Sequence, residues 1–167
     1  MKLNDTILMV IRYLRNAFES GSEGGNFTIE DGKVALSDAY YTGEWIAITG
    51  SRLNNGVFQL SQDETGVFVL SNGTDGEIPK VNETFDGKIW RLALPRDFVA
   101  LCLDLQNWLI SPAGKPSNIT KESVLGYYSK TFATSENGAP LGWIDMFSNR
   151  INSGWRKMWE SELVRTL

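Results

Sequence analysis

The sequence predicts an α+β chain in which a small antiparallel β-barrel or sheet is inserted between an N-terminal helix and two later helices, with an extended arm before the last one. Three observations carry this expectation. Apolar residues recur at helical spacing near the start, after Pro95 and after Trp143. Between Asn26 and Leu92 the pattern changes to short β-prone runs separated by turn dipeptides. The 167 residues, 42% hydrophobic and 22% charged, fit one domain, spanning 1–167, with a shared core.

The first element, within residues 1–20, rests on Ile7, Val10, Ile11, Leu14 and Phe18, which form one stripe of an amphipathic helix that Asn4 or Asp5 can cap. Gly21-Ser22-Glu23-Gly24-Gly25 reads as a helix stop and flexible connector. In the β-rich module, residues 26–92, Phe27-Thr28-Ile29 and Lys33-Val34-Ala35-Leu36 flank Asp31-Gly32, a pair suited to a tight hairpin turn. Trp45-Ile46-Ala47-Ile48 and Val57-Phe58-Gln59-Leu60 are joined through Asn54-Asn55-Gly56. With Val67 to Leu70 and Ile89 to Leu92 the count is about six strands, enough to close a small barrel.

Pro95 fits the first turn of a helix over 95–110, whose apolar face is Phe98, Leu101, Cys102, Leu105, Trp108 and Leu109. The polar and aromatic stretch at 111–142 reads as an extended arm or loop. A last helix is expected over 143–163, although Gly154 would weaken its interior by about 1 kcal/mol relative to alanine.

Several kinds of chemistry lack the residues they need. The chain has no histidine, so the usual imidazole base and the commonest transition-metal ligand are missing, and the single Cys102 forms no intrachain disulfide or four-ligand zinc site. The carboxylate pairs Asp63-Glu64 and Glu83 with Asp86 sit in polar turns, where solvated acids are routine. Asn72-Gly73-Thr74-Asp75-Gly76-Glu77 is rich in oxygen but lacks the spacing of a calcium loop. Neither a cofactor nor an enzymatic activity is expected. A formal charge of -4 gives no general attraction for phosphates, and no apolar run approaches membrane-spanning length. The scattered charges of the first residues are not those of a signal peptide, and one unpaired cysteine suits a reducing cytoplasm.

Four segments together resemble the head-tail connector (adaptor, or head completion) proteins of tailed bacteriophages and prophages. They are Ile48-Thr49-Gly50-Ser51-Arg52-Leu53-Asn54-Asn55-Gly56-Val57-Phe58, then Glu83-Thr84-Phe85-Asp86-Gly87-Lys88-Ile89-Trp90-Arg91-Leu92-Ala93-Leu94-Pro95, then Glu122-Ser123-Val124-Leu125-Gly126-Tyr127-Tyr128-Ser129-Lys130-Thr131-Phe132, and last Trp155-Arg156-Lys157-Met158. The chain departs from the family pattern where no serine precedes Glu122-Ser123, at Tyr127, and in the extension from Ser161 to Leu167.

The resemblance implies a structural virion protein of the neck, made in the bacterial host cytoplasm. It would assemble as a ring, commonly a dodecamer, beneath the portal, extend the channel for passing double-stranded DNA without sequence-specific binding, and offer a platform to the next tail or stopper protein. Twelve copies at -4 each would carry -48, a sign that lets DNA slide if those charges line the lumen.

Within that frame the portal-docking set is Trp143, Met146, Phe147, Arg150, Ile151, Trp155, Arg156, Lys157 and Trp159. Its large apolar members can instead pack on the other helices, but there are more of them than a small core needs. The inter-subunit set is Glu122, Ser123, Gly126, Tyr127, Tyr128, Ser129 and Phe132, on an arm that buries little within its own fold, with a mobile surface loop as the alternative. A rival reading is a β-rich phage carbohydrate- or receptor-binding module that uses Trp45, Tyr40 and Tyr41 as a stacking platform. A small hydrolase using only acidic residues is a second rival.

Overall fold

The computed structural model describes residues 2–73, 81–111, 121–124, 128–131 and 142–167. In chain order the elements are α1 (Leu3–Leu14), β1 (Glu19–Glu30), β2 (Lys33–Val34), β3 (Trp45–Thr49), β4 (Gly56–Gln62), β5 (Phe68–Ser71), β6 (Glu83–Leu92) and α2 (Arg96–Ile110). They are followed by β7 (Lys121–Val124), β8 (Tyr128–Thr131), α3 (Trp143–Phe147) and α4 (Glu162–Thr166). The first six strands close an antiparallel barrel in the order β1-β2-β5-β4-β3-β6. The protein is therefore α+β, with a small barrel between an N-terminal helix and later helices.

Two cores lie back to back on the same strands. Alternate residues of a strand face opposite ways, and in β3 both directions are apolar. Ile46 and Ile48 enter the barrel with Phe58, Leu60, Leu70, Phe85 and Ile89. Trp45 and Ala47 face outward with Val57, Trp90 and Leu92, under α1 and α2. All five residues of β3 are consequently buried.

The helical stripe of α1 (Leu3, Ile7, Val10, Ile11, Leu14) packs on Phe98, Leu101, Cys102 and Leu105 of α2, the face that periodicity assigned to that helix. Pro95 stands one residue before α2 instead of in its first turn. Burial pushes the Cys102 thiol up to about 12. Only the thiolate reacts with alkylating reagents, so Cys102 in the native protein should resist iodoacetamide, and its modification followed by mass spectrometry should track global unfolding.

The Asp31-Gly32 turn forms as expected, with φ of 52° and 76°, the left-handed pair that a two-residue hairpin requires. Asn54-Asn55-Gly56 works differently. The β3–β4 ladder ends at Ile48 opposite Gly56, so residues 50–55 form a longer loop with Asn54 buried. Glu83 organises that loop: its carboxylate accepts from Ser51 Oγ (2.5 Å), Arg52 N (2.7 Å), Leu53 N (3.1 Å) and Asn54 Nδ2 (3.0 Å).

Those donors, the Ser51 hydroxyl first, hold the Glu83 carboxyl down at about 2. Its ordinary value is 4.5. Because the folded value is the lower one, its contribution is complete above pH 4.5 and is lost as pH falls toward 2. Glu83→Gln should lower the thermal midpoint at pH 7 by several degrees and flatten its fall across that acid window, as thermal melts at stepped pH would show.

The connector expected at Gly21-Ser22-Glu23-Gly24-Gly25 is instead the first half of β1, which pairs with β6 from Glu19 to Ile29. The ladder that β6 offers outweighs the poor strand propensity of glycine. The chain also leaves α1 earlier than the apolar stripe suggested. Arg15 takes a left-handed C-cap conformation, and Phe18, beyond the helix end, folds back on Phe98 with ring centroids 4.9 Å apart.

The expected helix over 143–163 is divided into α3, 3-10 turns at Ser148–Arg150 and Ser153–Trp155, and α4. Asn152 caps the second of those turns by accepting from Gly154 N (2.9 Å), so Asn152-Ser153-Gly154 breaks the helix that the apolar spacing mimics. The arm contains an antiparallel two-stranded hairpin, β7 with β8. Glu122 and Ser123 lie in β7, Tyr128 and Ser129 in β8, while Gly126, Tyr127 and Phe132 lie outside the described residues, as do Thr74 to Glu77 of the oxygen-rich loop. Among the described residues, no helix is long and apolar enough to cross a membrane.

Candidate docking surface

The C-terminal segment is fastened along the end of α1 by hydrogen bonds to main-chain carbonyls, which fix its course without requiring regular structure. Asn16 Nδ2 donates to Trp155 O (2.9 Å), Lys157 N to Leu14 O (2.9 Å) and Arg15 Nη1 to Met158 O (3.2 Å); Arg12 donates to Leu167 O. Farther along, Ser161 donates to Glu19 and caps α4 by accepting from Val164 N (3.3 Å), and Leu163 and Val164 are buried. Lys88 and Glu162 add an exposed ion pair (3.1 Å) between β6 and α4.

The portal-docking set divides into two groups. Trp143, Phe147, Ile151 and Trp155 turn inward. Trp143 stands edge-on to Tyr13 at 5.1 Å, Phe147 is buried against Trp108, Ile151 packs on the helical core, and Trp155 meets Phe98 at 5.7 Å and Phe18 at 6.3 Å. Packing on the other helices is what these four do. Arg150 pairs with Asp104 (2.7 Å), an exposed contact that contributes little. Met146 is partly exposed, and Arg156 lies over the ring of Tyr13 at 5.3 Å.

The other group faces solvent. Trp159 is 82% exposed and Met158 is 80% exposed, side by side on a segment that the bonds to α1 hold in place. Next to them is a groove of about 430 Å³ lined by Arg15, Asn16, Phe18, Glu19, Lys157 and Trp159. Arg15 and Lys157 outnumber Glu19 along it, on a chain whose net charge is negative, and Arg12 binds the same C-terminal segment at Leu167 O. The surface therefore combines a large aromatic anchor, a flexible thioether and cations, a composition suited to an acidic protein partner.

Periodicity missed Met158, Arg15, Asn16, Phe18 and Glu19 as members of this surface, because a continuous helix would have spread them over separate faces. The helix-breaking Asn-Ser-Gly was the signal that could have brought them together.

Two of the candidate carboxylates, Asp63 and Glu83, hold turns together. Asp63 accepts from Lys33 Nζ (2.7 Å), Thr65 Oγ1 (2.7 Å) and the amides of Thr65 and Val67, and the lysine first and then Thr65 hold its carboxyl well below the usual carboxylate range. Glu83 ties down the β3–β4 loop. Of the proposed sugar platform, Trp45 and Tyr40 are buried and only Tyr41 is exposed. Burial first, then the negative charge of Glu23, pushes the Tyr40 hydroxyl up to about 12.

Arg91 reaches across Tyr40 and Tyr41, its guanidinium 5.5 Å and 5.8 Å from their rings, to pair with the buried Glu44 at 2.6 Å. Those aromatics therefore flank an ion pair that is buried on its Glu44 side and partly exposed on its Arg91 side. No family model, curated protein or solved structure matches the chain.

Proposed function

We propose that the chain is a structural subunit of the neck of a tailed phage or prophage, a head-tail connector that joins a ring of its own copies to the portal and works without catalysis. The observation that carries the reading is the exposed Trp159-Met158 pair beside a cationic groove. An indole left in water on a firmly held segment has its ordering cost already met, as a docking anchor requires. The four-segment resemblance supplies the partner class: the portal on this surface, neighbouring copies at the sides, and a tail or stopper protein beyond. The burial of Trp45 and Tyr40 removes the support for a sugar-stacking module.

The test is co-sedimentation of the purified chain with portal rings from the same phage. Saturable binding that weakens with salt, and a ring of connector density on the portal by electron microscopy, are expected. Failure to bind portal at micromolar concentrations would reject the proposal.

A further inference from the structure

The two neighbours of β1 cover it unequally. β6 pairs with it from Glu19 to Ile29, whereas β2 pairs only at Ile29 and Glu30. Because Asp31-Gly32 is a two-residue turn, Glu30 and Lys33 exchange both of their backbone hydrogen bonds, and direction alternates along β1 from there. The groups of Ile29, Phe27, Gly25 and Glu23 thus point at β6. Those of Thr28, Asn26, Gly24 and Ser22 point the other way, where no backbone group of the described residues bonds to them.

Proteins guard such an edge with lysine, proline, a covering element or brevity. From Ser20 to Thr28 there is neither lysine nor proline, Gly21, Gly24 and Gly25 put no side chain over the backbone, and Ser37 meets the strand at the Glu23 carboxylate (3.2 Å) without bonding its backbone. Gly21 sits where β1 shifts register against β6, a bulge that suits glycine, but among the described residues nothing requires Gly24 or Gly25. None has positive φ, and an added Cβ would meet ordinary contacts at Gly21 (3.8 Å) and Gly24 (3.7 Å) and open space at Gly25. Glycine in a strand without an internal cause marks a place where another backbone comes close. A groove of about 360 Å³ lined by Thr28, Glu30, Lys33, Val34, Ala35 and Val67 continues the edge.

The arm supplies the complementary element. β7 and β8 form a sheet of two strands, and such a hairpin is marginal in water unless it joins a larger sheet. Lys121 and Lys130 against Glu122 leave its strands one charge positive, while the edge carries Glu23. The hairpin is not paired with β1 of its own chain. We infer that the β7–β8 hairpin of a second copy adds to the Ser22–Thr28 edge of β1 by strand pairing, a head-to-tail contact that repeats around a closed ring. The inference rests on the reading that copies sit side by side, and it names the surfaces that meet.

Hydrogen exchange by NMR on the full chain, dilute and then assembled at high concentration or on portal rings, tests it. In the dilute chain the amides of Gly25 and Phe27 should be protected by β6 while those of Ser22, Gly24 and Asn26 exchange freely. On assembly the second set should slow by roughly tenfold or more. Gly24→Pro, which removes an outward donor only, and the double variant Tyr128→Pro with Ser129→Pro, which takes a donor from each side of β8 and so breaks the hairpin while leaving the barrel alone, should each abolish the slowing.

Assembly without protection of Ser22, Gly24 and Asn26 would overturn the strand-pairing inference and leave the ring reading standing. Protection already complete in the dilute monomer would overturn the second copy as occupant. Absence of assembly under every condition would overturn the inference together with the ring.

Discussion

Trp159→Ala is expected to weaken capture by the portal about 30-fold or more, the loss of roughly 2 kcal/mol that truncation of an aromatic anchor produces, while leaving the thermal midpoint within a degree or so of the parent. The separation follows from position. Trp159 is 82% exposed and makes no ring contact among the described residues, so the folded chain loses little when the indole goes. A partner that covers it loses most of a large apolar contact, and the mild loss from Met158→Ala should add to it.

Trp155 supplies the contrast. It lies against Phe98 and Phe18, so Trp155→Ala should cost about 3 kcal/mol of stability by leaving a cavity, and any loss of binding would then report on folding. Titration calorimetry against portal rings, with melts by circular dichroism on the same samples, separates the two. Equal affinity of Trp159→Ala and the parent for portal would remove Trp159 from the interface and, with it, the observation that carries the proposed function.

The barrel was legible in the sequence because its cues are local. Asp31-Gly32 sets one hairpin, and the uninterrupted apolar run of Trp45-Ile46-Ala47-Ile48 announces a strand buried on both faces. The stripes of α1 and α2 were legible for the same reason. The first half of β1 was not, since Gly21 to Gly25 become a strand only through the partner that β6 supplies from more than sixty residues away.

The site was half legible. The aromatic richness after Trp143 pointed to the right region, but helical spacing cannot tell a continuous helix from short turns that bury the same residues. Which tryptophan faces the core is decided by Asn16, Leu14 and Arg15 holding the carbonyls and amides of the segment. That is long-range backbone bonding, and it leaves no periodic trace.

Gly87→Ala is expected to destabilise the protein by about 3 kcal/mol, the upper end of what overpacking a well-filled site costs, and to lower the thermal midpoint by about 10 °C. A Cβ on Gly87 would stand 2.3 Å from the carbonyl oxygen of Thr49 and 3.0 Å from the Phe85 ring. The ring can turn away, but the carbonyl belongs to the backbone where β3 ends against β6, with Thr49 opposite Lys88. One residue on, the backbone of Gly50 is just as close: a Cβ there would lie 2.8 Å from Gly87 Cα. Side chains therefore have no room at this crossing, which the barrel needs to close, as sharp bends in barrels commonly depend on glycine.

Forcing the strands apart there would also pull on the loop at 50–55, whose amides converge on Glu83. Gly24→Ala is the internal control, because its Cβ would meet the Lys88 stem at 3.7 Å and the Gly87 carbonyl oxygen at 3.8 Å, both ordinary van der Waals contacts. It should leave stability equal or slightly raised, since alanine loses less freedom than glycine on folding. Urea unfolding of the two variants decides the matter: a Gly87→Ala chain as stable as Gly24→Ala would mean that the crossing of β3 and β6 can open, and that close backbone approach does not hold the barrel shut.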